Sequence, residues 1–201
     1  KMVAKVNIVS ESVIGPSLGQ EAIEAGMISF VVALIILMVF LVAMYGFGPG
    51  MVANVGILLN LFFTLGILAS FHAVLTLPGI AGIVLSLAMS VDANVLIYER
   101  TKEELRNGKN LKAAIADGYK NAFSAIFDSN LTSIITGIIL LVNGTGPIKG
   151  FATTLIIGLV CSFFTAIYIT RVIIEAILKR GGFKNVTYTT ALSLKALINT
   201  N

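Results

Sequence analysis

Pro78-Gly79-Ile80-Ala81-Gly82-Ile83-Val84-Leu85-Ser86-Leu87-Ala88-Met89-Ser90-Val91-Asp92-Ala93-Asn94-Val95-Leu96-Ile97-Tyr98 decides the fold. It is long and apolar enough to cross about 30 Å of hydrocarbon as a helix, which takes ~20 residues. Asp92 is the one charged side chain between Glu24 and Glu99. An acid at that depth costs ~2.5–3.5 kcal/mol on insertion-based scales, so it is read first as a functional group.

Working outward, Ala25–Gly46, Met51–His72 and Gly150–Arg171 meet the same standard, and Ala122–Val142 meets it if Asp128 is tolerated. Hydrophobic residues make up 57% of the chain and charged residues 12%, about half the charged fraction of a soluble domain. Mean hydropathy is +0.96. The expectation is an all-α membrane protein with five spans.

The first span is not a signal peptide. A polar stretch precedes Ala25, and no small-residue cleavage site follows a short apolar core. The single cysteine, Cys161, falls within a span, which excludes an intrachain disulfide. A net charge of +4 raises the question of nucleic acid. The bases sit at helix ends with no aromatic-interleaved groove, so no nucleic-acid partner is expected.

Turn chemistry divides the spans. Gly46-Phe47-Gly48-Pro49-Gly50 breaks the first from the second, Thr76-Leu77-Pro78 opens the third, and Asn143-Gly144-Thr145-Gly146-Pro147 separates the fourth from the fifth. The connection 99–121 is long, polar and charged, and reads as a loop. It holds Arg100, Lys102, Arg106, Lys109, Lys112 and Lys120, and the tail adds Lys179, Arg180, Lys184 and Lys195. The opposite side has only Lys1, Lys5 and Lys149. The positive-inside rule puts the loop and the carboxyl end in the cytoplasm and the amino end outside. Residues 1–20 then read as the end of an extracytoplasmic domain with its linker, a strand over 1–11 included. Residues 21–178 form the bundle and 179–201 a cytoplasmic tail or linker. An odd span count starting outside implies that an upstream helix and external domain belong to the whole protein.

On a helical wheel of about 100° per residue, Ala81, Ala88, Asp92 and Glu99 share one line, and Gly79, Gly82, Ser86 and Ser90 form a second stripe. Small stripes allow close helix approach in lipid. This helix is expected to be central, with its acid facing a protein interior or wet cavity. Asp92 is too deep for a cap and has no base within a turn; Asn94 and Ser90 are its nearest polar neighbours. Two roles fit: a neutral acid hydrogen-bonded between helices, or a proton carrier whose pKa burial raises toward neutrality.

Asp128 lies at a similar depth from the same interface, in Phe127-Asp128-Ser129-Asn130-Leu131-Thr132. It either joins Asp92 in one polar network or complements a helix amino terminus. Gly150, Thr154, Gly158, Ser162, Ala166 and Thr170 form a packing ridge on the fifth span, with Arg171 and Glu175 an i, i+4 pair beyond it. His72 stands at an outer helix end, where it serves either the interface or proton uptake. No P-loop, HExxH, nucleophile triad or metal-spaced cluster is present in the sequence, so no enzymatic activity is expected.

Val13-Ile14-Gly15-Pro16-Ser17-Leu18-Gly19, Leu77-Pro78-Gly79-Ile80-Ala81-Gly82, the run Ala88–Arg100, Ala122-Phe123 through Asp128-Ser129-Asn130-Leu131-Thr132, and Gly144–Ala152 occur in this order. Together they resemble the SecD/SecF family of protein-export membrane proteins over about residues 13 to 178. The resemblance implies a resistance–nodulation–division (RND) transporter bundle holding spans two to six of a six-span half, the large external domain following span one. It implies Asp92 as the proton-coupling carboxylate; the residues themselves add Asp128 as a second candidate and Asn94, Asn130 and Thr132 as a polar network. Protons would be the coupling ion, with no other cofactor. The implied partners are SecF (separate or fused), the Sec translocon channel, the exported preprotein and the lipids of the bacterial inner membrane. An RND-type exporter of lipids or small molecules and a non-transporting translocon scaffold are the alternatives.

Overall fold

The computed structural model describes residues 16–71 and 76–180. The strand expected over 1–11, most of the first quoted motif, His72 and the tail beyond 180 lie outside these.

Among the described residues, five helices are long and apolar enough to cross a membrane. Helix α1 (Pro16–Tyr45) ends at Gly46, whose φ of 78° is open to glycine at no steric cost. Helix α2 (Phe47–Ser70) follows at once. A side chain at Gly50 would stand 2.7 Å from the Val42 backbone, so this crossing of α1 and α2 admits only glycine. Helix α3 (Leu77–Arg106) starts at Thr76, whose hydroxyl accepts from Gly79 N at 3.2 Å, with Pro78 in the first turn.

Helix α4 (Leu111–Asn143) is capped by Asn110 Oδ1, which accepts from Ala113 N at 2.9 Å. Helix α5 (Pro147–Phe164) enters after Gly146, at φ 47°. It widens into a π-helical turn, Thr165–Ile169, before continuing as α6 (Thr170–Lys179). π-Turns are rare and recur at functional sites.

Helix α3 is central. It packs against α1, α2, α4 and, most extensively, α5. The small stripe and the small ridge meet there: a Cβ on Gly82 would lie 2.8 Å from Phe151 O, and one on Gly158 would overlap the Ser86 side chain. The ridge residues Thr154, Gly158, Ser162, Ala166 and Thr170 are all buried, as its spacing predicts. Exposed apolar side chains such as Ile35, Ile36 and Val39 on α1, and Ile135, Ile138 and Val142 on α4, form the outer surface of these helices.

The connection 99–121 is not the loop the sequence suggests. Helix α3 has 30 residues, about 45 Å at 1.5 Å each, so it outruns the hydrocarbon by several turns. Only residues 107–110 are non-helical. Lys109 fastens this helical hairpin through Glu104 and Asp117, both at 2.7 Å, and Asn121 donates to Glu104 at 2.8 Å. The hydrogen bonds to Asp117 and then Glu104 hold the Lys109 ammonium above its ordinary pKa.

Candidate functional site

The two lines drawn on α3 separate cleanly. Gly79, Gly82, Ser86, Ser90 and Asn94 are buried against neighbouring helices, whereas Ala81, Ala88, Asp92 and Glu99 are all exposed. Asp92 therefore sits on the outer surface of this bundle. The expected interior position is corrected: tight α3–α5 packing takes the small stripe inward and turns the acid line outward.

No hydrogen bond or ion pair joins Asp92 to another described residue. Asn94, its expected partner, points to the opposite face and donates to Ser90 O at 3.0 Å. Asp92 acts through space on the Tyr45 hydroxyl at the end of α1. Tyr45 is itself buried and donates to Glu99 Oε1 at 3.0 Å. Lys102 donates to the same oxygen at 2.9 Å and stands 4.5 Å over the Tyr45 ring. This cluster is absent from the sequence reading because Tyr45 is far from Glu99 in the chain and Lys102 counted only as loop charge.

Asp128 does not join Asp92. It is exposed on α4, where Ser124 Oγ donates to it at 3.4 Å and Thr132 Oγ1 donates to its backbone carbonyl at 2.8 Å. Asn130 is buried and donates to Ile126 O at 2.8 Å. Every one of these bonds stays within α4, so the cross-helix network expected of Asn94, Asn130 and Thr132 is not formed among the described residues. The helix-terminus reading of Asp128 also fails, since α4 begins at Leu111, many turns earlier. Arg171 and Glu175 do pair, at 2.9 Å, on the exposed face of α6.

Beside Asp92 the outward face of α3 continues into an apolar groove against α1, of about 530 Å³. Ser29, Phe30 and Ala33 line it from α1, and Ala81, Val84 and Ala88 from α3. An acid next to a wide apolar groove is suited to a protein-covered position, because hydrocarbon alone would leave the carboxylate unsolvated.

Comparison with known proteins agrees with this architecture. The family model described as protein export membrane protein SecD/SecF, C-terminal, matches residues 1–180. The chain is 53% identical over 172 residues to protein translocase subunit SecD of Rhodothermus marinus, covering 86% of this chain and 28% of that protein. It is 51% identical over 175 residues to the subunit of the same name from Desulfurispirillum indicum, covering 87% and 34% respectively. The chain thus spans about a third or less of the length of these relatives. The crystal structure of SecDF from Thermus thermophilus, a translocon-associated membrane protein, superposes with a TM-score of 0.81 at 43% identity. That match covers 84% of this chain and 24% of the other. With its five-span helical bundle, this multi-pass membrane chain belongs to the SecD/SecF protein-export family, in the carboxy-terminal membrane region that the family model describes.

Proposed function

We propose that this chain is the membrane core of a SecD-type subunit that uses the proton motive force to assist preprotein export across the bacterial inner membrane. The observation that carries the reading is Asp92, an acid deep in the central span, on the outward line of α3 in a family named for protein export. A solvent-inaccessible carboxylate between helices would be a structural element. One on an open face, beside an apolar groove, is available to a partner and to protons.

The occupant of that face is the SecF half, separate or fused; the name of the Thermus structure, SecDF, supports the pairing. Closure over Asp92 would withdraw it from lipid and from one aqueous side. A carboxylate covered in this way loads a proton from outside and discharges it toward the cytoplasm, each transfer supplying ~2.3 kcal/mol per 100 mV. Tyr45 stands on the discharge side, with Glu99 and Lys102 beyond it. The coupling ion is the proton, and no other cofactor is invoked. Asp128, being exposed on α4, is a lesser candidate for the same chemistry.

Orientation follows the charges. The α3–α4 hairpin and the carboxyl end lie in the cytoplasm, and the amino end outside. The outward apolar faces of α1 and α4 meet membrane lipid, and the translocon channel and preprotein are the wider partners.

The test is Asp92→Asn in the full-length protein. Asn has nearly the same volume and keeps hydrogen bonding but cannot titrate. Translocation of a preprotein into vesicles is measured with and without an imposed proton gradient. Loss of the gradient-stimulated part, with insertion and SecF pairing intact, is expected. Gradient stimulation that survives in the Asn variant refutes Asp92 as the carrier and favours a scaffold role. Stimulated export of a lipid or small molecule, with no effect on preproteins, would instead reassign the substrate.

A further inference from the structure

We infer that the seam where α2, α3 and α5 meet holds a buried water site, built by Asn60, Ser90, Asn94 and Ser162, at the membrane depth of Asp92. All four residues are at most 1% exposed. Each has a polar atom without a hydrogen-bond partner: Asn60 Nδ2, Ser90 Oγ, Asn94 Oδ1 and Ser162 Oγ. Buried polar atoms are seldom left unpaired, and each costs a substantial part of a hydrogen bond when it is.

Register brings these atoms together. A Cβ on Gly158 of α5 would overlap Ser86 of α3 and lie 3.9 Å from Thr64 of α2, so the three helices touch at that level. One turn further along α3 and α5, which run parallel, stand Ser90 and Ser162. One turn back along the antiparallel α2 stands Asn60. The orphaned atoms of three helices thus fall on one level, with Asn94 one turn beyond Ser90.

Rotamer choice separates these serines from five other buried hydroxyls. Ser86, Thr101, Thr154, Thr165 and Thr170 all donate back to a carbonyl of their own helix, the usual way a hydroxyl satisfies itself within a span. Ser90 and Ser162 do not; their hydroxyls are left for the seam. Asn60 and Asn94 each spend one end of the amide locally, on Thr64 at 3.3 Å and on Ser90 O at 3.0 Å, and keep the other end free.

The set fits water. It offers an amide donor, an amide acceptor and two hydroxyls able to do either, and a buried water makes about three such bonds. Neutral groups alone do not call for a charged ligand. Ser90 and Asn94 lie two residues before and after Asp92, so the site is within about 3 Å of its level along the axis, across the body of α3. It puts a hydrogen-bonding medium in the bundle interior at the depth where the outward face carries its acid.

Thermal unfolding of the full-length protein in detergent tests this through the sign of the change. Ser90→Ala and Ser162→Ala remove one methyl-sized polar atom and cannot overpack. If water is bound, each strands it without a partner and lowers Tm. Because both serve one site, the double variant falls by less than the sum of the singles. If the seam is dry, each substitution relieves an unpaired hydroxyl, and Tm rises or holds. A rise or an unchanged value in both overturns the proposal, as does strictly additive loss. The scans are repeated with sodium replaced by potassium at fixed ionic strength. Equal Tm in the two salts supports water, and a sodium-dependent Tm that Ser90→Ala abolishes reassigns the site to a cation and overturns the water assignment.

Discussion

The Tyr45 hydroxyl donates to Glu99 Oε1 across 54 positions of sequence, at 3.0 Å. Lys102 closes the cluster from the other side, its side chain 9% exposed against 51% for Glu99. Tyr98 packs on Tyr45 with ring centres 5.1 Å apart and donates to Pro49 O at 2.8 Å. The end of α1, the start of α2 and the last third of α3 are thereby fastened at one point.

The unequal exposure of that pair predicts unequal costs. Glu99→Gln leaves a mostly buried ammonium without its countercharge and Tyr45 with a weaker acceptor. A loss of about 1 kcal/mol is expected, discounted from the value for a hydrogen bond to a charged group because Glu99 is half in solvent. Lys102→Met leaves a carboxylate that water can solvate and replaces the buried stem with an apolar one, so it should be close to neutral. Thermal unfolding of both variants in detergent checks the order. A Lys102→Met variant less stable than Glu99→Gln would show that the lysine head, and not its burial, governs the cluster.

Glycines on α5 and α2 make contrasting predictions. Gly158→Leu must drive into Ser86, separating α3 from α5 at the tightest part of the bundle. The cost should be ~1–3 kcal/mol, as for other overpacked cores. Gly66→Ala meets nothing within 4 Å and should be neutral or slightly stabilising. If the two variants unfold at the same temperature, the stripe-on-ridge contact is not what holds α3 to α5.

What the sequence made legible was periodicity. The five spans, the ridge on α5 and the two lines on α3 all follow from residue spacing, and each is found in the structure. Which line faces inward was not legible, because a wheel fixes angles between residues but not the side a neighbour occupies. The α5 ridge held the answer: Gly158 and Thr154 need small partners, and Ser86 and Gly82 are the ones α3 offers. The 99–121 hairpin was missed for another reason. Its polarity matches a loop, but Lys109, Glu104 and Asp117 satisfy one another on the surface of two protruding helices. Asn60 could have been noticed as an amide in the middle of an apolar span, a costly placement that asks for a partner.

Topology is open to labelling. Thr145→Cys lies in the exposed turn between α4 and α5, and Asn107→Cys in the turn between α3 and α4. Asn107 serves better than its neighbour Gly108, whose φ of 84° would strain a side chain. With the buried Cys161 replaced by Ala to remove background, an impermeant maleimide applied to whole cells should label position 145 and spare 107 until the membrane is opened. The reverse pattern would invert the orientation drawn from the basic residues.

The face that carries Asp92 supplies the last prediction. Ala88 is one turn from Asp92 on the same line, is exposed, and lines the groove between α3 and α1. Trp at this position would project into the groove on the exposed face, away from the α3–α5 contact, so Ala88→Trp should leave the thermal stability of the isolated subunit unchanged. It should, however, hold a paired helix away and leave Asp92 against lipid, where an ionised carboxylate costs ~2.5–3.5 kcal/mol. Co-purification with SecF and gradient-stimulated export should both fall. Ile138→Trp, on the exposed face of α4, is the control and should affect neither. If Ala88→Trp pairs and exports like the parent protein, the groove faces lipid and the partner must cover Asp92 from another direction. If it loses export but keeps pairing, the groove serves the coupling step and not assembly. Only joint loss of both, with stability intact, fits a helix of the paired half lying in the groove over Asp92.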